Sequence, residues 1–206
     1  MRSKDSEEQR IRGESVQALF PEAGGVDAIL YGEAPGPRGA DQSGVPFWGD
    51  GAGIPLYRAL EKAGCARIPE AAWTPWDGAR LREEGLWPEL RGVALSNALP
   101  WCPSDDGCRF RAPKKRELQN IENINRLRGE LERAAVAGAR RVLTLGRCAA
   151  QTLGPLAEEI GWEMVALPHP SSQGLLMDAP GKGRGLRLVD LRAAWEERLV
   201  RALKGA

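Results

Sequence analysis

The chain has 206 residues, 28% of them charged and 42% hydrophobic, with a formal net charge of +1. That length suits one α/β domain with a full core and leaves two domains cramped. The near-neutral balance excludes nucleic-acid binding through bulk charge, so any such footprint must be local.

Met1 to Gln17 is polar, with no apolar signal core, and no apolar run is long enough to span a bilayer. A cytoplasmic monomer without membrane contact is expected, with residues 1–24 as a helical or flexible extension and 25–206 as the domain. Cys65, Cys102, Cys108 and Cys148 are scattered and read as reduced thiols.

Val26 to Tyr31 reads as a short buried strand that runs into a glycine-rich turn at Gly32. Pro55 suits a first helical turn, and Tyr57, Leu60 and Ala63 continue it until Gly64. Val93-Ala94-Leu95 is a second strand, stopping at Ser96-Asn97. Pro113 opens one long helix with Leu118, Ile121, Ile124, Leu127 and Leu131 on one face, closed near Gly138. Arg141 to Leu145 is a third strand, followed by a short helix to Leu153, and Met164 to Leu167 is a fourth. Leu188, Leu191, Trp195 and Leu199 mark a C-terminal helix. Strands alternating with helices predict a single-domain, three-layer α/β/α fold around a central four-stranded parallel sheet. Ligands of such sheets bind beyond the carboxyl ends of the strands.

Three polar or glycine-rich segments fall at those ends. The first runs from Gly32-Glu33-Ala34-Pro35-Gly36-Pro37-Arg38-Gly39-Ala40-Asp41 to Phe47-Trp48-Gly49-Asp50. It lacks both the spacing and the Lys-Ser/Thr ending of nucleotide-binding loops. The second is Leu95-Ser96-Asn97-Ala98-Leu99-Pro100, and the third is Pro168-His169-Pro170-Ser171-Ser172, which holds the one histidine of the chain. Taken singly, Asp41 and Asn97 are turn residues and His169 a structural histidine.

In this order and spacing the three segments resemble the uracil-DNA glycosylase superfamily, from about Val26 to Leu176 and including Leu143-Thr144-Leu145-Gly146-Arg147. The Gly-Glu-Ala-Pro-Gly opening resembles family four. The continuation through Gly39-Ala40-Asp41 and Phe47-Trp48-Gly49-Asp50 resembles family five. The resemblance implies a monofunctional DNA glycosylase that hydrolyses the bond between a deaminated base and deoxyribose. Phe47 would stack on the flipped base and Asn97 would read its pairing edge, with Gly32, Ala34 and Gly36 lining the pocket. His169 would donate a hydrogen bond to the departing base, and a carboxylate would serve the cationic sugar and its water. Ala34 stands where other uracil enzymes of the superfamily carry that carboxylate. Asp41, placed as in family five, is the candidate here, and Glu33 is the substitute.

Two departures accompany the resemblance. Families four and five carry a four-cysteine iron–sulfur cluster with two ligands ahead of the first motif, yet no cysteine precedes Gly32. No cluster or other cofactor is expected. Packing by the insert from Ala71 to Arg91, with Trp73, Trp76 and Trp87, offers a substitute staple. Gly36 replaces a bulky tyrosine and leaves space for deaminated bases larger than uracil.

For contact with DNA, Arg109, Arg111, Lys114 and Lys115, with Arg116, form a basic cluster that otherwise reads as a solvated helix start. Ser171, Ser172 and Leu175 belong to the same expected interface. Leu175 and Leu176 resemble the superfamily's wedge, or else anchor their loop into the core. Two contrasting readings are an inactive glycosylase-fold module that binds DNA or a protein, and a small-molecule N-ribosyl hydrolase.

Overall fold

The computed structural model describes residues 11 and 14–205. In chain order its elements are β1 (Val26–Gly32), α1 (Ala40–Ser43), α2 (Gly53–Ala63), β2 (Ala66–Arg67), α3 (Gly78–Glu83), β3 (Glu89–Leu90), β4 (Gly92–Asn97), α4 (Lys115–Leu118), α5 (Ile121–Val136), β5 (Arg141–Leu145), α6 (Arg147–Glu159), β6 (Glu163–Leu167), α7 (Ser172–Asp178) and α8 (Leu188–Lys204).

Strands β4, β1, β5 and β6 lie side by side in that order, and each pair is parallel. Successive residues of β1 point to opposite faces, so its unbroken apolar run serves two cores at once. Ala28 and Leu30 join Leu56, Tyr57 and Leu60 of α2 and Trp195 and Leu199 of α8. Ile29 and Tyr31 join Leu127 and Leu131 of α5 and Leu153 and Leu156 of α6. The three-layer α/β/α arrangement expected from the sequence is the one observed. Register brings the strand ends together: Gly32 closes β1 opposite Asn97 of β4, and the Gly146 amide after β5 donates to Leu167 O of β6 at 2.8 Å. All three polar segments therefore leave the sheet at one rim. Among the described residues no helix is long and apolar enough to cross a membrane.

Four local expectations change. The single long helix from Pro113 is two helices, because Asn120 leaves helical geometry and caps α5 by accepting from the Glu122 amide. Ile121 consequently leaves the apolar face and is 66% exposed. The helix after β5 runs on to Glu159, through Pro155. Ahead of β1, the described part of the N-terminal extension is an extended strap with no helix. Val16 donates to Pro100 O at 2.6 Å, and Leu19 bridges antiparallel to Leu95. The part before Ile11 lies outside the described residues. In the insert, the Trp73 and Trp76 rings stack at 5.1 Å and Trp76 meets the edge of buried Trp48 at 4.8 Å, so these two close a cover. Trp87 stays outside it, 41% exposed.

The fourth change concerns Leu175. The segment after His169 is helix α7 rather than an open loop, and Leu175 is buried in the core on the α8 side of the sheet. Helical spacing turns it inward, so it anchors the segment and does not project as a wedge. Leu175→Ala should lower unfolding free energy by about 2–5 kcal/mol, the usual cost of emptying a buried leucine site. Denaturant titration checks this; unchanged stability with weakened DNA binding would restore the wedge.

Candidate active site at the carboxyl rim of the sheet

Gly32 is the point where the first two segments meet. A Cβ placed on it would lie 2.4 Å from the Phe47 ring and 2.6 Å from Asn97 Oδ1. Any side chain there would push the aromatic ring and the amide apart, so the residue type is fixed by the approach of its neighbours. Phe47 holds φ at 63°, a left-handed conformation that a bulky residue adopts only under constraint. Its carbonyl accepts from the Asp50 amide at 3.1 Å, within a turn that fixes the strained residue. Asn97 is buried, and among the described residues its Nδ2 has no hydrogen-bond partner. A buried amide donor left unpaired costs stability, so an acceptor that reached Asn97 Nδ2 would be bound favourably.

The loop from Gly36 to Asp41 is held by Asp50, to which the motif resemblance assigns no role. Asp50 Oδ2 accepts from the Gly36 and Ala40 amides at 3.2 and 3.1 Å. Its carboxylate fills the space beside Gly36, where a Cβ would fall 2.1 Å from Asp50 Oδ1. The expectation that Gly36 leaves room for a larger base is thus corrected: that room is occupied. Burial raises the Asp50 carboxyl above its usual range, and the backbone amides partly offset the rise. The signal was legible in principle, since Asp50 ends the quoted Phe-Trp-Gly-Asp run after a loop of closely spaced glycines.

The two carboxylate candidates point to different places. Asp41, in α1, is 2% exposed, and its amide donates to Gly36 O at 3.0 Å. Burial first, then the charges of Asp41 and Asp50, pushes the neighbouring Cys102 thiol up to about 12. Glu33 instead lines a cavity of about 410 Å³ with Lys115, Gln119, Cys148, Gln151 and Thr152. None of Asp41, Phe47, Asn97 or His169 lines that cavity. Burial also raises the Glu33 carboxyl. Ala34 packs against the core on the α5 and α6 side.

His169 follows β6 in a fixed setting. Trp195 Nε1 donates to Pro168 O at 2.8 Å, and the Ser171 amide donates to His169 Nδ1 at 3.2 Å. An accepting Nδ1 places the proton of the neutral ring on Nε2. Burial pushes the imidazole down to about 4, so the ring is neutral at physiological pH. Ser171 and Ser172 have structural partners: Ser171 Oγ caps α7 by accepting from the Gly174 amide, and Ser172 Oγ accepts from Arg192.

The basic cluster is partly neutralised, contrary to its appearance in sequence. Arg111 is held by both oxygens of Glu117, at 2.7 and 2.6 Å, and Lys114 meets Asp105 at 2.6 Å. Glu117 also accepts from the Lys114 amide at 2.7 Å, which offsets the basic helix start. Arg111 is therefore a brace of its own loop, whereas Arg109 and Lys115 are exposed and make no ion pair among the described residues. The thiols do not suit a four-thiolate cluster. One is buried, two are half-buried and one is exposed, and no three Cys, His, Asp or Glu side chains converge among the described residues.

No family model matches the chain. It is 32% identical over 179 residues to a type-5 uracil-DNA glycosylase of Thermus thermophilus, covering 85% of this chain and 70% of that protein. It also aligns with an NMR structure of a candidate uracil DNA glycosylase from Methanosarcina acetivorans, at 18% identity and a TM-score of 0.45, covering 92% of this chain and 97% of that one.

The state of His169 is directly measurable, because it is the one histidine in 206 residues. Nitrogen NMR should show a neutral ring protonated on Nε2 from pH 8 down through 6, titrating near 4. The folded pKa lies below the ordinary 6.5, so the unfolded chain binds this proton first. Its contribution to stability is whole above about pH 6.5 and shrinks as pH falls toward 4. A midpoint at 6.5 or above would overturn this assignment.

Proposed function

We propose a specific activity for this chain, which belongs to the uracil-DNA glycosylase superfamily: it is a monofunctional DNA N-glycosylase that removes uracil or another deaminated base. The name of the Thermus relative supports glycosylase chemistry on DNA. The observation that carries the reading here is the buried Asn97 amide with its unmet Nδ2 donor, set beside the Phe47 ring at Gly32.

That amide suits one kind of base edge. Deamination converts an amidine edge into a lactam, a ring N–H beside a carbonyl. Asn97 Oδ1 accepts from such an N–H while Nδ2 donates to the carbonyl. Uracil, hypoxanthine and xanthine share this edge, and cytosine and adenine reverse it. Phe47 supplies the face on which the extruded base stacks.

Hydrolysis breaks the bond from the base nitrogen to C1′ and forms a bond from C1′ to a water oxygen. The leaving base carries the electron pair, and neutral His169 donates its Nε2 hydrogen bond to the oxygen where that charge develops. Asp41 stabilises the cationic sugar and takes the proton of the attacking water. Such a division of labour needs a neutral histidine and an ionised carboxylate together. The DNA backbone passes over Arg109 and Lys115, with exposed Lys114 beside them and Arg111 bracing the loop from beneath. Residues 25–206 form the catalytic unit of a cytoplasmic monomer acting in base excision repair, without an iron–sulfur cluster.

Base release from oligonucleotides carrying uracil, hypoxanthine, xanthine, cytosine or adenine tests the reading. The lactam bases should be released, the larger hypoxanthine and xanthine more slowly than uracil because Asp50 fills the space beside Gly36, and the others retained. His169→Ala and Asp41→Ala should each slow single-turnover release on the order of 100–1,000-fold while DNA binding survives. Asn97→Ala should lose discrimination as well as rate. If Glu33→Ala abolishes release and Asp41→Ala does not, the catalytic carboxylate belongs in the Glu33 cavity. No release of any base would leave an inactive DNA-binding module.

A further inference from the structure

Behind the Asn97 loop lies a network of charged and polar side chains to which neither the motifs nor the chemistry above assigns a role. Asn123, Arg126 and Glu130 follow one another at spacings of three and four on α5, so they share one face of that helix. Arg126 Nη2 donates to the main-chain carbonyls of Asn97 at 2.9 Å and Ala98 at 3.0 Å. Asn123 Nδ2 donates to Ala98 O and to Leu118 O, both at 2.9 Å, and its Oδ1 accepts from Arg126. Glu130 pairs with Arg126 and accepts from Ser96 Oγ at 2.9 Å. Three consecutive residues, Ser96, Asn97 and Ala98, are thus gripped from one helix face.

The grip is enclosed. The side chains of Arg126 and Glu130 are 20% and 12% exposed, so the pair is screened from solvent more than a surface salt bridge. Charge-assisted hydrogen bonds to carbonyls in such a setting are short and directional. They act on the backbone of Asn97, whose side chain reaches toward Gly32 on the other side of the loop.

We propose that Arg126 is the positioning residue for base recognition: through the Asn97 and Ala98 carbonyls it fixes where the Asn97 amide meets the base. The proposal rests on the reading of Asn97 as the base-reading residue. Lysine cannot replace the arginine in this task, because an ammonium lacks the planar fork that holds two carbonyls while pairing with Glu130. A displaced amide loses contact with the base in the transition state, and misplacement by about 1 Å costs as much as 100-fold in rate.

The test is a double-mutant cycle in the full-length protein, read as single-turnover release of uracil and as the ratio of uracil to hypoxanthine release. Arg126→Lys alone should slow uracil release about 10–100-fold and shift the ratio, with affinity for undamaged duplex and its salt dependence unchanged. In the Asn97→Ala background Arg126→Lys should have almost no further effect, whereas in the His169→Ala background its loss should multiply in to within about twofold. The paired variant Arg126→Gln with Glu130→Gln, which leaves no unpaired buried charge, should give the same pattern and covers a failure of Arg126→Lys to fold. Losses that multiply in the Asn97→Ala background would overturn the positioning role and leave base reading intact. A flattened salt dependence with an unchanged ratio would make Arg126 a phosphate contact instead. If Asn97→Ala is itself silent, base reading and the Arg126 role both fall.

Discussion

The site depends on the missing side chain at Gly32. At the end of the central strand, an aromatic ring from the first segment and an amide from the second approach to distances that leave no space for a Cβ. Around that point the structure spends stability: Phe47 holds a left-handed backbone, and Asn97 buries an amide donor that no protein group meets among the described residues. Such costs persist only where the surroundings over-determine them. The surroundings here are the Asp50 grip on the Gly36–Ala40 turn and the Arg126 grip on the Asn97–Ala98 turn.

Burial does different things to the titratable groups near this rim. It drives His169 to a neutral donor, because its charged form is the one disfavoured. The same effect raises Glu33 and Asp50 toward protonation, while hydrogen bonds from backbone amides pull Asp50 back. A site with few net charges and fixed dipoles suits a reaction in which charge appears on both halves of the substrate as one bond breaks.

Much of the fold was legible in the sequence. Four short apolar runs separated by helical periods suffice for a parallel sheet, because strands buried on both faces read as continuous apolar stretches. Less legible was anything set by one local hydrogen bond. Asn120 ends a helix inside an otherwise unbroken apolar pattern, and Leu175 turns inward because its segment is helical. Of the candidate site, Phe47 and Asn97 meet at Gly32, as the motif order implies, while Glu33 faces a separate cavity. The Arg126 contacts were not legible, because they go to backbone carbonyls distant in sequence and such partners carry no residue-type signature, whereas Asp50 stands at the end of a glycine-rich run that marks it. The basic cluster carries less free charge than its run of residues suggests, since the acids that neutralise Arg111 and Lys114 lie just outside that run.

Where the base sits is seen directly in a crystal structure of the protein with abasic-site DNA and free uracil. Uracil should stack on Phe47, with its N3–H and O4 on the Asn97 amide and O2 facing His169 Nε2. Uracil bound in the Glu33 cavity, with Asn97 Nδ2 still unpaired, would contradict this placement.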